Sequence, residues 1–306
     1  MEQRVKRKDL PLVLSFMLPG IILMAVIVIL PVILIVQYSL FEASGFTGAA
    51  EYVGIQNYVD VFQDDRFWSG LGNTFVYAIG TVALQVVIGI VIAVLLNEAF
   101  PGNQFVRGAA VVPYIIPVIV VTIGWEWILD PDVGMVNTFL GGFGLERVQF
   151  LSMDLAMLTS IGLSVWSWTP FVTLVFLSGL QTVPDELHES AQMDGAGAFR
   201  RFFTITIPML TGLIVTIVLL RGIWMFNKFD LIYLLTGGGP LERTETLPVY
   251  TYISIFKMFD VGHGAAIAVI SFAIMLVAML VYLKIFDRDE QSPRRRFPFP
   301  FARKGA

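Results

Sequence analysis

The sequence predicts an all-α membrane protein with six transmembrane helices. Three observations carry that expectation: the composition, the lengths of the apolar runs, and the uneven placement of basic residues. Apolar residues are 56% of the chain and charged residues 14%, with a mean hydropathy of +0.77, whereas about a quarter of the residues of an ordinary soluble domain are charged. A helix crosses the hydrocarbon core with about 20 apolar residues. Six runs meet that need, near Val13 to Val36, Phe75 to Leu96, Val106 to Leu129, Leu155 to Leu180, Ile207 to Leu235 and Gly264 to Phe286.

The first run follows basic residues, as a secretory signal does, but it is too long for a 7–15-residue signal core. It ends at Gln37-Tyr38-Ser39-Leu40 without a small-x-small site, so it reads as an uncleaved helix. The third run carries Trp125-Glu126-Trp127 near its end, which reads as an interfacial aromatic belt. Arg221 and Lys228 interrupt the fifth, the weakest by hydropathy, and His263 sits at the start of the sixth. Residues 1–12 and 287–306 are left as tails flanking a transmembrane domain at 13–286. The second tail is basic, with Arg294-Arg295-Arg296 before alternating Phe and Pro, and is expected to be disordered or to lie on the membrane surface. Cysteine is absent, which excludes disulfides, thiolate metal sites and a cysteine nucleophile. No metal site and no catalytic residue is expected.

With both termini inside, the inner segments hold Arg4, Lys6, Arg7, Lys8, Arg107, Arg200, Arg201, Lys284, Arg288, Arg294, Arg295, Arg296, Arg303 and Lys304. The outer loops hold only Arg66, Arg147, Arg243 and Lys257. That positive-inside bias puts both ends and the polar segment 182–208 on the cytoplasmic side. The outer loops are net acidic, a field that disfavours a free anion at long range and favours a neutral cargo, although salt screens it within about 8 Å.

The polar segment is the most specific part of the chain. It reads Glu189-Ser190-Ala191-Gln192-Met193-Asp194-Gly195, then nine residues, then Ile205-Thr206-Ile207-Pro208. Thr182-Val183-Pro184-Asp185 has the form of a helix start with a capping hydroxyl. Val183, Leu187 and Ala191 would then share a face, with His188 on the surface. Asp194-Gly195 predicts a break, because glycine permits positive φ, and Asp194 is placed to cap a second helix near Gly197 to Phe203. Phe199, Phe202 and Phe203 are expected to face the bundle.

This segment resembles the EAA-x3-G-x9-I-x-L-P loop of binding-protein-dependent ABC import permeases, with Ser190 and Ile207 as conservative departures. The resemblance implies the type I ABC importer permease fold with cytoplasmic coupling helices, and a transport subunit that does no chemistry. It makes Glu186, Glu189, Ser190, Ala191, Asp194 and Gly195 the ATPase-coupling residues. No G-x-x-x-x-G-K-[ST] phosphate loop is present, and Gly237-Gly238-Gly239-Pro240 lacks the following lysine and hydroxyl. This chain therefore needs no cofactor of its own, ATP and Mg being held by two partner ATPase subunits.

A second motif, Phe229-Asp230-Leu231-Ile232-Tyr233-Leu234-Leu235-Thr236-Gly237-Gly238-Gly239-Pro240 with Thr244 beyond, is similar to the F-D-x-x-Y-x-L-T-G-G-G-P signature of carbohydrate permeases of the maltose F-type group. It implies a heterodimer with a second permease and an external sugar-binding protein or lipoprotein. Just before it, Arg221, Trp224, Met225 and Lys228 recur at i, i+3, i+4 and i+7, one face of a helix. Ionisable groups inside a membrane mark a pathway or a buried pair. By resemblance, Trp224, Met225 and Lys228 line the sugar site, together with Ser164, Ser167, Trp168 and Phe171 of the fourth span. Packing roles compete for these residues: Arg221 paired with Glu126 or Asp230, Lys228 snorkelling, Asp230 ending a helix.

The leading function is an ATP-driven importer of a mono- or oligosaccharide in a prokaryotic cytoplasmic membrane. A sugar phosphate or polyol is an alternative cargo. An ion-coupled carrier would explain the intramembrane cations but not the EAA-like loop, and a non-transporting sensor subunit is the remaining alternative.

Overall fold

The computed structural model describes residues 10–42 and 51–291, with side chains described for 15–42 and 51–286. The tail expectations for 1–9 and 292–306, including the Arg-rich and Phe-Pro segments, lie outside the described residues.

Helix α1 (Leu10–Met24) runs through a π-helical turn at Ala25–Ile29 into α2 (Leu30–Tyr38). A minimal antiparallel pair follows, β1 (Phe41–Glu42) with β2 (Glu51–Tyr52). Next come α3 (Gln56–Gln63), the 33-residue α4 (Asp65–Asn97), α5 (Asn103–Ile115), α6 (Val118–Ile128), α7 (Met135–Gly142) and α8 (Ala156–Leu180). The polar segment holds α9 (Asp185–Met193) and α10 (Ala198–Arg201), which passes through a π-helical turn at Phe202–Thr206 into α11 (Ile207–Met209). The chain ends with α12 (Thr211–Phe226), α13 (Asp230–Thr236), α14 (Leu247–Tyr252), a π-helical turn at Ile253–Lys257 and α15 (Val261–Gln291).

Among the described residues four helices are long and apolar enough to cross a membrane: Ser15–Tyr38, Asp65–Asn97, Ala156–Leu180 and Val261–Phe286. Six result if each of two bent helix pairs is one span. The first pair, α5 and α6, bends by 95° where Ile116 is extended (φ −70°, ψ 128°) before Pro117. Proline lacks the N–H that would continue the ladder, and it pushes the preceding residue out of the helical region. The second, α10–α11 with α12, bends by 69° at Leu210, just after Pro208 in α11. Neither the 106–129 nor the 207–235 run is one continuous helix, and the latter also breaks between Phe226 and Asp230. The second run starts earlier than Phe75, because α4 takes up residues expected in a loop.

Two compact units emerge, one of residues up to Leu71 with Leu247–Phe272, the other of Gly72–Thr246 with the residues from Ala273 on. In the first, Asn57 is buried and its Nδ2 donates to the carbonyls of Ser39 (2.9 Å) and Phe41 (3.0 Å), which fixes the end of α2 against α3. Tyr250 donates its hydroxyl to Asp64, lies 3.1 Å from His263 Nε2 and carries the Arg66 guanidinium over its ring at 4.7 Å. The His263 N–H is capped by Asp260 at 3.0 Å, so this histidine does open α15.

The second unit is built around α8, the most buried of the spans. Lipid tails are as apolar as leucine, so helices in a bilayer associate through close packing and polar contacts rather than by escaping water. Both devices are present. Ala93 and Leu96 of α4 pack with Val172, Phe176 and Leu177 of α8, beside Val183, Leu210 and Ile217. The backbones come close at Gly89, where a Cβ would stand 2.7 Å from the Val172 side chain and 3.3 Å from the Thr173 nitrogen. Beyond α6, the Asp130 carboxylate accepts the N–H groups of Val133 (2.9 Å) and Asp132 (2.8 Å), which hold its pKa below the usual carboxylate range.

Overpacking a tight contact costs about 1–3 kcal/mol. Gly89→Leu is therefore expected to lower the thermal unfolding midpoint of the purified protein, while Gly108→Ala, with no neighbour within 4 Å of the added methyl, should leave it unchanged.

Candidate functional site

The break after α12 creates a cavity of about 500 Å³, lined by Tyr114, Trp168, Arg221, Ile223, Trp224, Met225, Asn227, Lys228, Phe229 and Asp230. Its volume is within the 300–1,000 Å³ of small-molecule sites. Helix α12 stops at Phe226 and the chain turns at Asn227 (φ −93°, ψ 13°). Lys228 thus reaches the cavity from the turn and not from the helix face that its i+7 spacing suggests. Its Nζ lies 2.8 Å from Asp230 Oδ1 and sits 3.6 Å from the centre of the Trp168 ring. It neither snorkels nor stands alone. Asp230 also accepts the N–H of Leu231 at 2.8 Å, so it sits in the first turn of α13 while it neutralises the lysine.

Arg221 is only 1% exposed. Its partner is neither Glu126 nor Asp230: Nε donates to Gln85 Oε1 at 2.8 Å, Nη2 lies 3.7 Å from the Met225 sulfur, and the guanidinium faces the rings of Trp224 (5.3 Å) and Phe171 (5.7 Å). Gln85 is held in turn by its Nε2, which donates to the Ser164 carbonyl at 3.0 Å, and the Ser164 hydroxyl bonds Tyr77. Phe171 touches Trp224 edge-on with ring centres 5.2 Å apart.

Of the seven residues predicted to contact substrate, Trp168, Trp224, Met225 and Lys228 line the cavity, and Phe171 backs Trp224. Ser164 and Ser167 do not line it. Both are buried in the packing around α8, Ser164 against Tyr77 of α4, and the Ser167 hydroxyl has no hydrogen-bond partner among the described residues. Gln85 and Tyr77 escaped the sequence reading because they fall inside a long apolar run. A polar amide at the centre of a membrane span is itself the signal that would have found Gln85.

The polar segment forms the expected helix-turn-helix with different local chemistry. Pro184, extended, precedes α9 and no side chain caps it. The Thr182 hydroxyl instead donates back to the Gly179 carbonyl at 2.7 Å. Asp185 and Glu186 lie in the first turn, where carboxylates suit the positive end of the helix dipole. Helix α9 ends in a Schellman motif: Gly195 has φ +80°, its N–H donates to Gln192 O at 2.9 Å, and the Ala196 N–H reaches Ala191 O at 2.9 Å. Asp194 belongs to that ending and does not cap α10, which Gly197 precedes without a side-chain bond. Arg201 ties α10 to α9 through the His188 carbonyl (3.3 Å) and Gln192 Oε1 (3.1 Å).

Exposure corrects the expected faces. Glu186, Glu189, Ser190, Asp194 and Gly195 are exposed, Ala191 and His188 are half-buried, and Leu187 points outward. Of the three phenylalanines only Phe202 turns inward. Phe199 (79% exposed) and Phe203 (52%) pack against each other with ring centres 4.7 Å apart on the exposed side of the segment.

The glycine run after α13 is a pinned loop. Gly237 and Gly238 take φ +62° and +92°, the hydroxyls of Thr236 and Thr244 meet at 2.6 Å, and the Thr244 hydroxyl donates to Gly239 O at 2.8 Å. The second motif thus has a structural role of its own at the foot of the cavity-lining α13.

Residues 85–290 match the family described as the binding-protein-dependent transport system inner membrane component. The chain belongs to that family. This permease is 32% identical to the trehalose/maltose transport system permease protein MalF of Thermococcus litoralis over 94% of its own length and 98% of that protein. It is 33% identical to the sulfoquinovosyl glycerol transport system permease protein SmoG of Agrobacterium fabrum, over 92% and 96%. Its fold matches a chain of the crystal structure of a bacterial ABC transporter involved in the import of the acidic polysaccharide alginate, with a TM-score of 0.81 at 23% identity, covering 92% of the permease and 96% of that chain. The permease therefore has the type I ABC importer permease fold and is a transport component of a membrane complex, not an enzyme.

Two outcomes test this geometry. Gly195→Val forces a β-branched residue into positive φ at a cost of about 1–3 kcal/mol, and should speed hydrogen exchange across α9 without shifting global unfolding. Gln85→Leu removes a hydrogen bond to a buried cation worth about 1.5–3 kcal/mol, and should lower the unfolding free energy by a comparable amount, read as a lower unfolding midpoint.

Proposed function

We propose that this permease moves a mono- or oligosaccharide inward across the cytoplasmic membrane by alternating access, driven by ATP hydrolysis in two partner ATPase subunits. A second permease of similar fold completes the pathway and an external binding protein delivers the cargo. Both termini and the 182–208 segment face the cytoplasm, as the basic residues favour.

The observation that carries this reading is the cavity at the broken end of α12, in which Trp168 and Trp224 present aromatic faces beside Lys228, Asn227 and Asp230. A sugar offers apolar C–H faces to rings and hydroxyls to polar groups, and this lining offers both. The names of the two sequence relatives, one a trehalose/maltose system and one a sulfoquinovosyl glycerol system, support a glycosidic cargo.

Helix α9 supplies the coupling element. It is short and pinned by Arg201 to a helix that continues into α11, and its exposed Glu186 and Glu189 are free to meet a cationic partner. When the ATPase pair closes on α9, the displacement passes through α10 and α11 to the bend at Leu210, and from there into α12 and the cavity wall. Rigid bodies moving about a hinge are the usual means of alternating access.

Vesicles reconstituted with the full complex should accumulate sugar only with ATP on the ATPase side and binding protein on the other. Glu189→Arg should cut ATP-driven uptake by about tenfold or more, the loss expected when a like charge opposes a contact, while binding of sugar to the complex persists. Uptake driven by an ion gradient without ATPase subunits would overturn the proposal in favour of a secondary carrier.

A further inference from the structure

We infer that the cargo carries an acidic group, and that Arg221 receives it in the cavity at the end of α12. The inference rests on the saccharide reading above and narrows it to a sugar acid: a carboxylate, sulfonate or phosphate on a saccharide frame.

The argument is one of charge balance. Three ionisable groups with a formal charge at neutral pH line the cavity, Arg221, Lys228 and Asp230. Lys228 and Asp230 are paired at 2.8 Å and neutralise each other. Arg221 is left over: among the described residues no carboxylate lies within ion-pair distance of it. A guanidinium has five N–H donors, and two contacts are recorded for this one, the Gln85 oxygen at 2.8 Å and the weakly accepting Met225 sulfur at 3.7 Å. Gln85 is neutral. Its amide is also fixed in orientation, because its NH2 end is committed to the Ser164 carbonyl, so only its oxygen can face the arginine.

Arg221 is thus a cation 1% exposed in a membrane-embedded cavity with no counter-charge among the described residues. Taking an ion out of water costs several kcal/mol unless it is paired, and intramembrane charges are otherwise found paired or on a transport pathway. The rings of Trp224 and Phe171 offset part of the cost, but they cannot neutralise the charge. A neutral sugar would satisfy donors and leave the imbalance, and Lys228 with Asp230 already offers hydroxyl-binding groups. An anionic group on the cargo would supply the missing charge, in the fork geometry that guanidinium prefers. The acidic outer loops point the other way only at long range. Their field is screened within about 8 Å and bears on approach rates, whereas Arg221 acts at contact.

The test uses the whole importer complex without its binding protein, so that the permease site alone is read. Tryptophan fluorescence follows titration with matched pairs that share a ring: glucose and glucuronate, galactose and galacturonate, cellobiose and cellobiuronate. In at least one pair the acid should bind about tenfold or more tighter than its neutral parent, the gain expected from a charge-assisted bond. Arg221→Gln should abolish that preference and Arg221→Lys, which keeps the charge but not the fork, should retain only part of it, with complex assembly checked by size exclusion. Equal or weaker binding of every acid overturns the inference and leaves the saccharide reading standing. An acid preference that survives Arg221→Gln removes Arg221 from the role. If no member of any pair binds, and reconstituted vesicles take up no sugar with ATP, the saccharide reading itself falls.

Discussion

A hydrogen-bonded line runs from Tyr77 through Ser164 and Gln85 to Arg221, and the cavity depends on it. It joins α4, α8 and α12 at a depth where water cannot complete an unmet bond, so each group is held by the next. Break it at the glutamine and a buried guanidinium loses the one strong acceptor it has among the described residues. The aromatic wall depends on the same point, because Trp224 and Phe171 are arranged around that cation.

The second constraint is that backbone groups within a bilayer must be satisfied by the protein, so helices can be interrupted only where protein or a cavity shelters the ends. The interruptions here coincide with functional geometry. Pro117 bends α5 against α6, Leu210 turns the polar segment into α12, and Asn227 ends α12 so that Lys228 and Asp230 can face the cavity. The helix-turn-helix is tied together by the Schellman ending and Arg201, and it meets the cavity-lining helices at both ends, through Val183 after α8 and through the bend at Leu210 before α12.

Much of this was legible in the residues. The apolar runs marked the spans, and Asp194-Gly195 marked the reversal, because positive φ is a local demand that glycine meets. Other readings failed for identifiable reasons. Thr182 bonds backward to Gly179 where the sequence suggested a forward cap, since Pro184 has already started the helix in extended form. Phe199 and Phe203 are expected inward as aromatic residues beside the bundle, yet both are exposed and meet each other instead. Hydropathy was blind to the breaks at Pro117 and Leu210, because a window average does not register a missing N–H.

By itself the chain determined that it is helical, membrane-embedded and built to reverse at Gly195, because hydropathy and backbone freedom belong to short segments. The tertiary structure alone decided that Lys228 is neutralised by Asp230 while Arg221 is not, and that a glutamine 136 residues away holds it. Pairings of that kind depend on which helix faces meet. In a chain where nearly every face is apolar, that choice is made by small-residue contacts such as Gly89 on Val172, which no local pattern announces.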